Sequence, residues 1–258
     1  MPPTTSQPPY HLTISGDLGS GKSTGAQLIA AALDLDVLST GDIHRSIARA
    51  RGMSALGANY AAEADPTIDE QIDSTTVRVA REAAKPIVFD SRMAWFFVEN
   101  ALRVRLVVDP AVAATRVLAR AATDVESYTS LTDVATSLAE RAEVELRRYL
   151  ETYGVDIADL THFDLVIDTS EATPGEVADE IIAALGRPRP ERTVLRLSPA
   201  RVVPRPEAAR GGELMVEFVR PVFYAVAGVD ELATGKGQHL VTAGLATTNR
   251  AYAITLTD

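Results

Sequence analysis

Near its amino terminus the chain carries Gly16-Asp17-Leu18-Gly19-Ser20-Gly21-Lys22-Ser23, which matches the phosphate-loop pattern G-x-x-x-x-G-K-[ST] in full. The run from Tyr10 to Ser15 before it is typical of a strand, and the apolar spacing from Lys22 to Leu33 predicts a helix. The glycines let the backbone wrap around a phosphate, and the helix start adds the positive end of its dipole. The motif therefore indicates a nucleoside triphosphate site.

The polar side chains of this motif have distinct expected roles. We expect Lys22 to reach the β- and γ-phosphates, Ser23 to ligate Mg²⁺ and Thr24 to touch the α-phosphate. Asp90 ends the apolar run that starts at Pro86, and we expect it to act on Mg²⁺ or its waters. The alternative for Asp90 is a helix N-cap, and the two roles are compatible.

Strand and helix patterns continue to alternate as far as residue 185. The predicted strands are Val37 to Ser39, Pro86 to Asp90, Leu102 to Val108 and Leu165 to Asp168. The predicted helices are Asp42 to Arg51, Pro66 to Ala84, Ala111 to Ala122, Leu131 to Tyr153 and Pro174 to Leu185. This alternation predicts an α/β fold, in which a parallel sheet is covered by helices on both faces.

A proline-rich segment, Arg187-Pro188-Arg189-Pro190, divides the chain into two parts of opposite charge. The 15 basic and 28 acidic residues before it give −13, whereas the 10 basic and 7 acidic residues from Arg187 onward give +3. We expect a flexible tail over 1–9, a phosphate-loop domain over 10–186, a linker over 187–192 and a small α+β module over 193–258.

The expected C-terminal module is a candidate for packing or for homodimer formation. Its predicted strands are Met215 to Val219, Val222 to Val226 and Ala251 to Leu256, and its predicted helix is Gln238 to Leu245. Leu197 to Val203 and Val216 to Arg220 faintly resemble the start of ParB-like domains.

Composition excludes several classes of protein. The chain of 258 residues has a net charge of −10, which argues against a nucleic-acid-binding surface, and it has no cysteine, which excludes thiolate chemistry and disulfides. The first residues lack the basic and apolar regions of a secretory signal, and no apolar run is long enough to span a membrane. We therefore expect a cytoplasmic protein.

A set of arginines lies where a second phosphate could be held. Each alone is typical of a solvated surface, but together on this fold they favour a phosphoryl-transfer cage. Arg92 lies two residues beyond Asp90, at the carboxyl edge of the sheet, where open α/β folds bind ligands. Helical spacing places Glu145 on one helix face with Arg141 and Arg148. The set comprises Arg45, Arg92, Arg116, Arg120, Arg141 and Arg148.

From about Leu12 to Leu185 the chain resembles the archaeal-type cytidylate kinase family of nucleoside monophosphate kinases. The resemblance starts with the phosphate loop and ends with a characteristic closing stretch. The other matching segments are Thr40-Gly41-Asp42-Ile43-His44-Arg45, Asp65 to Asp73, Arg141 to Asp156 and Phe163 to Ser170.

The resemblance implies a phosphotransferase that uses ATP and Mg²⁺ to convert CMP or dCMP into the diphosphate. It implies that Thr40, Arg45 and Arg92 hold the acceptor, Arg45 on its monophosphate, and that Glu145 lies near the ribose. It further implies that Arg141 and Arg148 grip the phosphates being joined. Arg116 and Arg120 would belong to an ATP-binding lid with the segment from Ala121 to Ser130.

Three features depart from the family pattern. Asp17 replaces a small residue or proline after the first glycine, Ser91 replaces a glycine, and the stretch from Met93 to Phe97, with Trp95, differs from the family sequence. Two alternatives therefore stay open: a kinase for another nucleotide or small-metabolite hydroxyl, and a nucleotide-sensing regulator without turnover.

Overall fold

The computed structural model describes most of the chain up to residue 197 and four strands beyond it. The described residues are 8–43, 46, 66–121, 128, 130–190, 193–197, 215–219, 222–226, 238–245 and 248–256. The predictions for the tail over 1–7, for Arg45 and for most of the segment from Ala121 to Ser130 lie outside these ranges, as does most of the helix predicted over Asp42 to Arg51.

Ten strands and six α-helices are described. The strands are β1 (His11–Gly16), β2 (Asp36–Ser39), β3 (Ile87–Asp90), β4 (Ala101–Val107), β5 (Leu165–Asp168), β6 (Val194–Leu197), β7 (Met215–Val219), β8 (Val222–Val226), β9 (Gln238–Leu245) and β10 (Thr248–Leu256). The helices are α1 (Lys22–Leu33), α2 (Pro66–Glu82), α3 (Ala94–Phe97), α4 (Pro110–Ala121), α5 (Leu131–Tyr153) and α6 (Pro174–Leu185), and a 3₁₀ turn covers Leu160–His162.

The main sheet has the order β2-β3-β1-β4-β5-β6-β10-β9. All neighbouring strands from β2 to β10 run parallel, and β9 pairs antiparallel with β10. The connection after β1 leads to β2 on one side of the sheet, whereas the connection after its neighbour β4 leads to β5 on the other side. Folds of this kind bind ligands at the carboxyl ends of the strands where the direction reverses. The α/β class predicted from the sequence is confirmed.

Helices cover both faces of the sheet, as alternate residues of β3 show. Val88 belongs to a large cluster formed by β1, β4, β5, α1 and α6, whereas Ile87 and Phe89 pack on the other face with α2 and α3. Leu12, Ile14 and Leu106 in the large cluster are almost fully buried. Burying each such side chain is worth about 1.5–3 kcal/mol, so this core holds the phosphate loop on a rigid base.

Helices α4 and α5 pack on each other through Ala114, Val117 and Val134. Ser130 caps α5 by accepting a hydrogen bond from the backbone N–H of Asp133. None of the helices in the described ranges has the length and apolar character needed to cross a membrane.

The C-terminal strands differ in two respects from the sequence-based expectation. Gln238–Leu245 is strand β9 rather than a helix, because its eight residues pair in antiparallel register with β10; such pairing can outweigh local propensity. Strand β6, which lies within the predicted module, pairs in parallel with β5, and its Leu195 is buried. The boundary at 187–192 stays a prediction, and β6 extends the sheet of the preceding domain.

Candidate active site

The phosphate loop connects β1 to α1 and lies tightly against its neighbours. A side chain at Gly16 would place its Cβ 2.4 Å from the carbonyl oxygen of Leu106, and one at Gly19 would come within 2.9 Å of the Ala113 backbone. Gly19 also has a φ of +80°, which glycine adopts without strain. These positions require glycine because the loop is packed against β4 and α4.

Lys22 begins α1 at the centre of the site. Burial, together with the nearby cations of Arg92 and Arg105, lowers the pKa of Lys22 to about 7, against the opposing effect of Asp90 and Asp17. A triphosphate would supply the negative charge that this ammonium lacks. The charges around Lys22 therefore favour the binding of an anionic ligand.

The two residues predicted to act on Mg²⁺ are in direct contact. Ser23 Oγ donates a hydrogen bond of 2.6 Å to Oδ2 of Asp90, at the end of β3. Two hard oxygen donors thus lie side by side at the mouth of the phosphate loop. Within the described ranges, no group of three or more His, Cys, Asp or Glu side chains could hold a metal ion. A phosphate-bound Mg²⁺ needs only one or two protein ligands, so the residues present fit it.

Two threonines predicted to bind nucleotide flank this pair. Thr24 is exposed on the first turn of α1. Thr40 lies at the end of β2, and its hydroxyl is 3.5 Å from the backbone carbonyl oxygen of Asp90. The acceptor-side threonine is therefore next to the expected metal site.

Arg92 and Glu145, which are 53 residues apart in sequence, form an ion pair between the turn after β3 and the middle of α5. Each side chain is about four-fifths buried. Burial lowers the pKa of Arg92 to about 10, and the cations of Arg105 and Arg141 contribute. Arg92 therefore remains charged at neutral pH, beside Glu145 and within electrostatic range of Arg141. The substrate-binding roles of these residues stay predictions.

Arg148 lies further along α5 and faces an acidic residue of α2. It is 3.9 Å from Asp69 and donates a hydrogen bond of 3.0 Å to the hydroxyl of Tyr149. One turn on, Tyr153 donates a hydrogen bond of 2.6 Å to Asp73. Burial raises the pKa of Asp73 to about 6. Helices α2 and α5 are thus joined by a row of polar, partly buried side chains.

Arg116 connects α4 to two neighbouring loops. Its guanidinium donates 2.7 Å and 3.3 Å hydrogen bonds to the carbonyl oxygens of Thr169 and Gly19, so it joins α4 to the phosphate loop and to the loop after β5. Arg120 is exposed one turn further along α4. Their predicted part in an ATP-binding lid stays a prediction.

The departures at Ser91 and Trp95 shape the turn that carries Arg92. Ser91 Oγ accepts hydrogen bonds of 3.2 Å and 3.1 Å from the backbone N–H groups of Met93 and Ala94, which start α3. The Trp95 indole N–H donates 2.8 Å to the carbonyl oxygen of Arg92 and its ring stacks on His162 at 4.7 Å. This region therefore holds the backbone of Arg92 in place.

Sequence reasoning missed Arg105. It lies in β4 with 9% of its side chain exposed and forms a 2.6 Å ion pair with Asp17. The available signal was a pair of arginines, Arg103 and Arg105, within a strand whose other residues are apolar, since a buried charge needs a partner. Its partner could not be deduced, because the pairing spans 88 residues.

The sheet order, the phosphate loop and the adjacent Ser23–Asp90 pair are those of a P-loop nucleoside-triphosphate-binding protein. The family model of the cytidylate kinase-like family matches residues 11–171, and the chain belongs to that family. The matched range includes the loop, Asp90, Arg92, Glu145 and Arg148.

Curated relatives agree with this assignment. The chain is 36% identical over 175 residues to a cytidylate kinase of Archaeoglobus fulgidus, which covers 67% of this chain and 93% of that protein. It is 39% identical over 158 residues to a cytidylate kinase of Aeropyrum pernix, covering 61% and 88%. In overall shape it is similar to the crystal structure of an uncharacterized protein from Eubacterium ventriosum, with a TM-score of 0.54 and 14% identity over 69% of this chain and 99% of that one.

Proposed function

We propose that this chain transfers the γ-phosphoryl group of ATP to CMP or dCMP, giving ADP and CDP or dCDP. The observation that carries the proposal is the placement of the Arg92–Glu145 pair beside the phosphate loop, in a chain of the cytidylate kinase-like family. Ser15, the residue before the loop, donates a hydrogen bond of 3.2 Å to the carbonyl oxygen of Arg92. This contact links the phosphate loop, proposed to bind ATP, to the turn that carries Arg92, proposed to bind the acceptor.

In the proposed reaction an acceptor phosphate oxygen attacks the γ-phosphorus, and the bond to the β–γ bridging oxygen breaks as ADP leaves. The acceptor oxygen is already ionised near neutral pH, so no strong base is needed, and catalysis depends on positioning and charge neutralisation. Lys22 would neutralise the β- and γ-phosphates, and Arg92, Arg141 and Arg148 would offset the charge of the two phosphates brought together.

Ser23 and Asp90 would hold Mg²⁺, directly or through its waters. When bound, Mg²⁺ would offset the negative charge of the phosphate groups being joined. The 2.6 Å contact between the two side chains supports this assignment because it brings together a hydroxyl and a carboxylate, which are oxygen ligands of the kind Mg²⁺ prefers.

The experiment is an ADP-release assay of the full chain with Mg²⁺-ATP and a panel of CMP, dCMP, UMP, AMP, GMP and small alcohols, with products identified by chromatography. We expect the highest kcat/KM with CMP or dCMP. A higher kcat/KM for any other acceptor would overturn the proposal, and ADP release that no acceptor stimulates would favour a sensor. Folded Lys22→Ala protein, expected to lose orders of magnitude of turnover, excludes a contaminating kinase.

A further inference from the structure

The second residue of the phosphate loop is acidic. Asp17 follows Gly16 directly, and 42% of its side chain is exposed at the loop. An uncompensated carboxylate beside a bound polyphosphate would repel it, since charges of the same sign a few ångströms apart interact strongly where water is partly excluded. The loop can hold a polyphosphate well only if this charge is offset.

Arg105 supplies that offset from behind the loop. Its Nη2 donates to Oδ1 of Asp17 at 2.6 Å, and its Nη1 donates to Oγ of Ser15 at 3.2 Å. The guanidinium carbon is 5.8 Å from the ring centroid of Phe163, so the cation is enclosed by protein. Asp17 and Arg105 each offer the other an opposite charge in this enclosed position.

Arg105 is also linked to the turn that carries Arg92, through the hydroxyl of Ser15. Ser15, fully buried, accepts from Arg105 and donates to the carbonyl oxygen of Arg92. A continuous hydrogen-bonded chain therefore runs from Asp17 through Arg105 and Ser15 to the Arg92 turn. Arg105 is placed to fix both the charge and the position of the loop.

We propose that Arg105 is a positioning residue of the phosphate loop: by pairing with Asp17 it makes an acidic loop compatible with a bound nucleoside polyphosphate. Arg105 acts through Asp17 and Ser15 and does not itself contact the phosphates. This inference rests on the ATP site of the proposed function and is independent of which acceptor is used.

The test is calorimetric titration of the full chain with a non-hydrolysable Mg²⁺-ATP analogue, for wild type, Arg105→Leu, Asp17→Asn and the double variant. We expect Arg105→Leu to raise Kd about tenfold or more, Asp17→Asn to stay within about threefold, and the double variant to return to within about threefold of wild type. A double variant as weak as Arg105→Leu would indicate direct phosphate contact and overturn the proposal. An unchanged Kd for Arg105→Leu would overturn it as well.

Two further variants separate charge pairing from folding and from net charge. Arg105→Lys keeps the cation but cannot donate to Asp17 and Ser15 through two arms, so we expect a Kd between those of wild type and Arg105→Leu. Arg105→Gln keeps a donor for Ser15 without the charge and serves if the leucine variant does not fold. Arg103→Leu removes the same charge two residues earlier on the same strand face and should leave Kd unchanged. Equal weakening by Arg103→Leu would assign the effect to net charge and refute the pair.

The outcomes for the two proposals are distinct. Absence of analogue binding by wild type would contradict the ATP site itself. Wild-type binding without turnover of CMP would contradict the proposed acceptor and leave the Arg105 comparison intact, because that comparison measures only binding of the ATP analogue.

Discussion

The hydroxyl of Ser23 donates a 2.6 Å hydrogen bond to the carboxylate of Asp90, across 67 residues of sequence. The contact joins the first turn of α1 to the end of β3, two elements that meet because β1 and β3 are neighbours in the sheet. It brings together the hydroxyl and the carboxylate that we propose hold a phosphate-bound Mg²⁺.

Removing either oxygen donor should weaken Mg²⁺ binding selectively. We expect Ser23→Ala and Asp90→Asn to raise the Mg²⁺ concentration for half-maximal rate about tenfold, with a smaller change in acceptor KM, because both are assigned to the metal. The measurement is the steady-state rate as a function of free Mg²⁺. Asp109→Asn, on a carboxylate that caps α4, is the control. A shift in acceptor KM alone would contradict the assignment.

Binding of ATP should take up a proton. Because burial holds the pKa of Lys22 near 7, this amine is mostly neutral at pH 8 in the free protein, and the added phosphate charge should raise its pKa. We therefore expect uptake of most of one proton at about pH 8. Calorimetry in buffers of different ionisation enthalpy measures it. Lys22→Met should show no such uptake, and equal uptake by that variant would assign the proton elsewhere.

Arg45 is expected to serve one substrate only. Loss of a charge-assisted contact to the acceptor phosphate costs about 1.5–3 kcal/mol, so Arg45→Ala should raise acceptor KM about ten- to a hundredfold. The KM for ATP should change much less. Initial rates with each substrate varied in turn provide the comparison, and equal increases in both constants would count against the assignment.

The Asp73–Tyr153 pair should make stability depend on pH. Burial raises the pKa of Asp73 to about 6, so between about pH 4 and 6 the folded protein retains a proton that the unfolded chain releases. The stability that this proton contributes is present below that window and is lost as pH rises through about 6. We expect the Tm of Asp73→Asn, relative to wild type, to increase from pH 5 to pH 7. A difference that is flat or falls would refute this reasoning; the exposed Asp36→Asn is the control.

Strand β6 should contribute to the stability of the kinase domain. Leu195 is 2% exposed, and Thr193 donates a 2.8 Å hydrogen bond to the carbonyl oxygen of Phe163. A chain ending after residue 198 should therefore melt higher than one ending after residue 186. Burial of one leucine, worth about 1.5–3 kcal/mol, corresponds to about 5 °C or more. Equal melting temperatures would support a domain boundary at 187–192, and ATP binding should persist in both chains.

Local patterns in the sequence were sufficient for most of the described strands and helices between residues 10 and 186, although the short helix α3 was not predicted. The helices Leu131–Tyr153 and Pro174–Leu185 begin and end where predicted, because helical periodicity and a capping residue mark them locally. Likewise, the loop from Gly16 to Ser23 implied a triphosphate site, since its glycines, lysine and hydroxyl are consecutive. The prediction of a helix over Gln238 to Leu245 was wrong because the local sequence of β9 does not show that this segment pairs with β10.

The sequence by itself thus determined the parallel sheet, the phosphate loop and the position of the carboxylate, Asp90, that we propose holds Mg²⁺. Tertiary structure alone decided which charges are neighbours: Asp17 with Arg105, and Arg92 with Glu145. The physical reason is that periodicity records which face of an element is buried, whereas an ion pair depends on the order and register of strands that are far apart in the chain. Arg105 opposes Ser15 because β4 lies beside β1, and that adjacency is what brings its guanidinium to the acid in the loop.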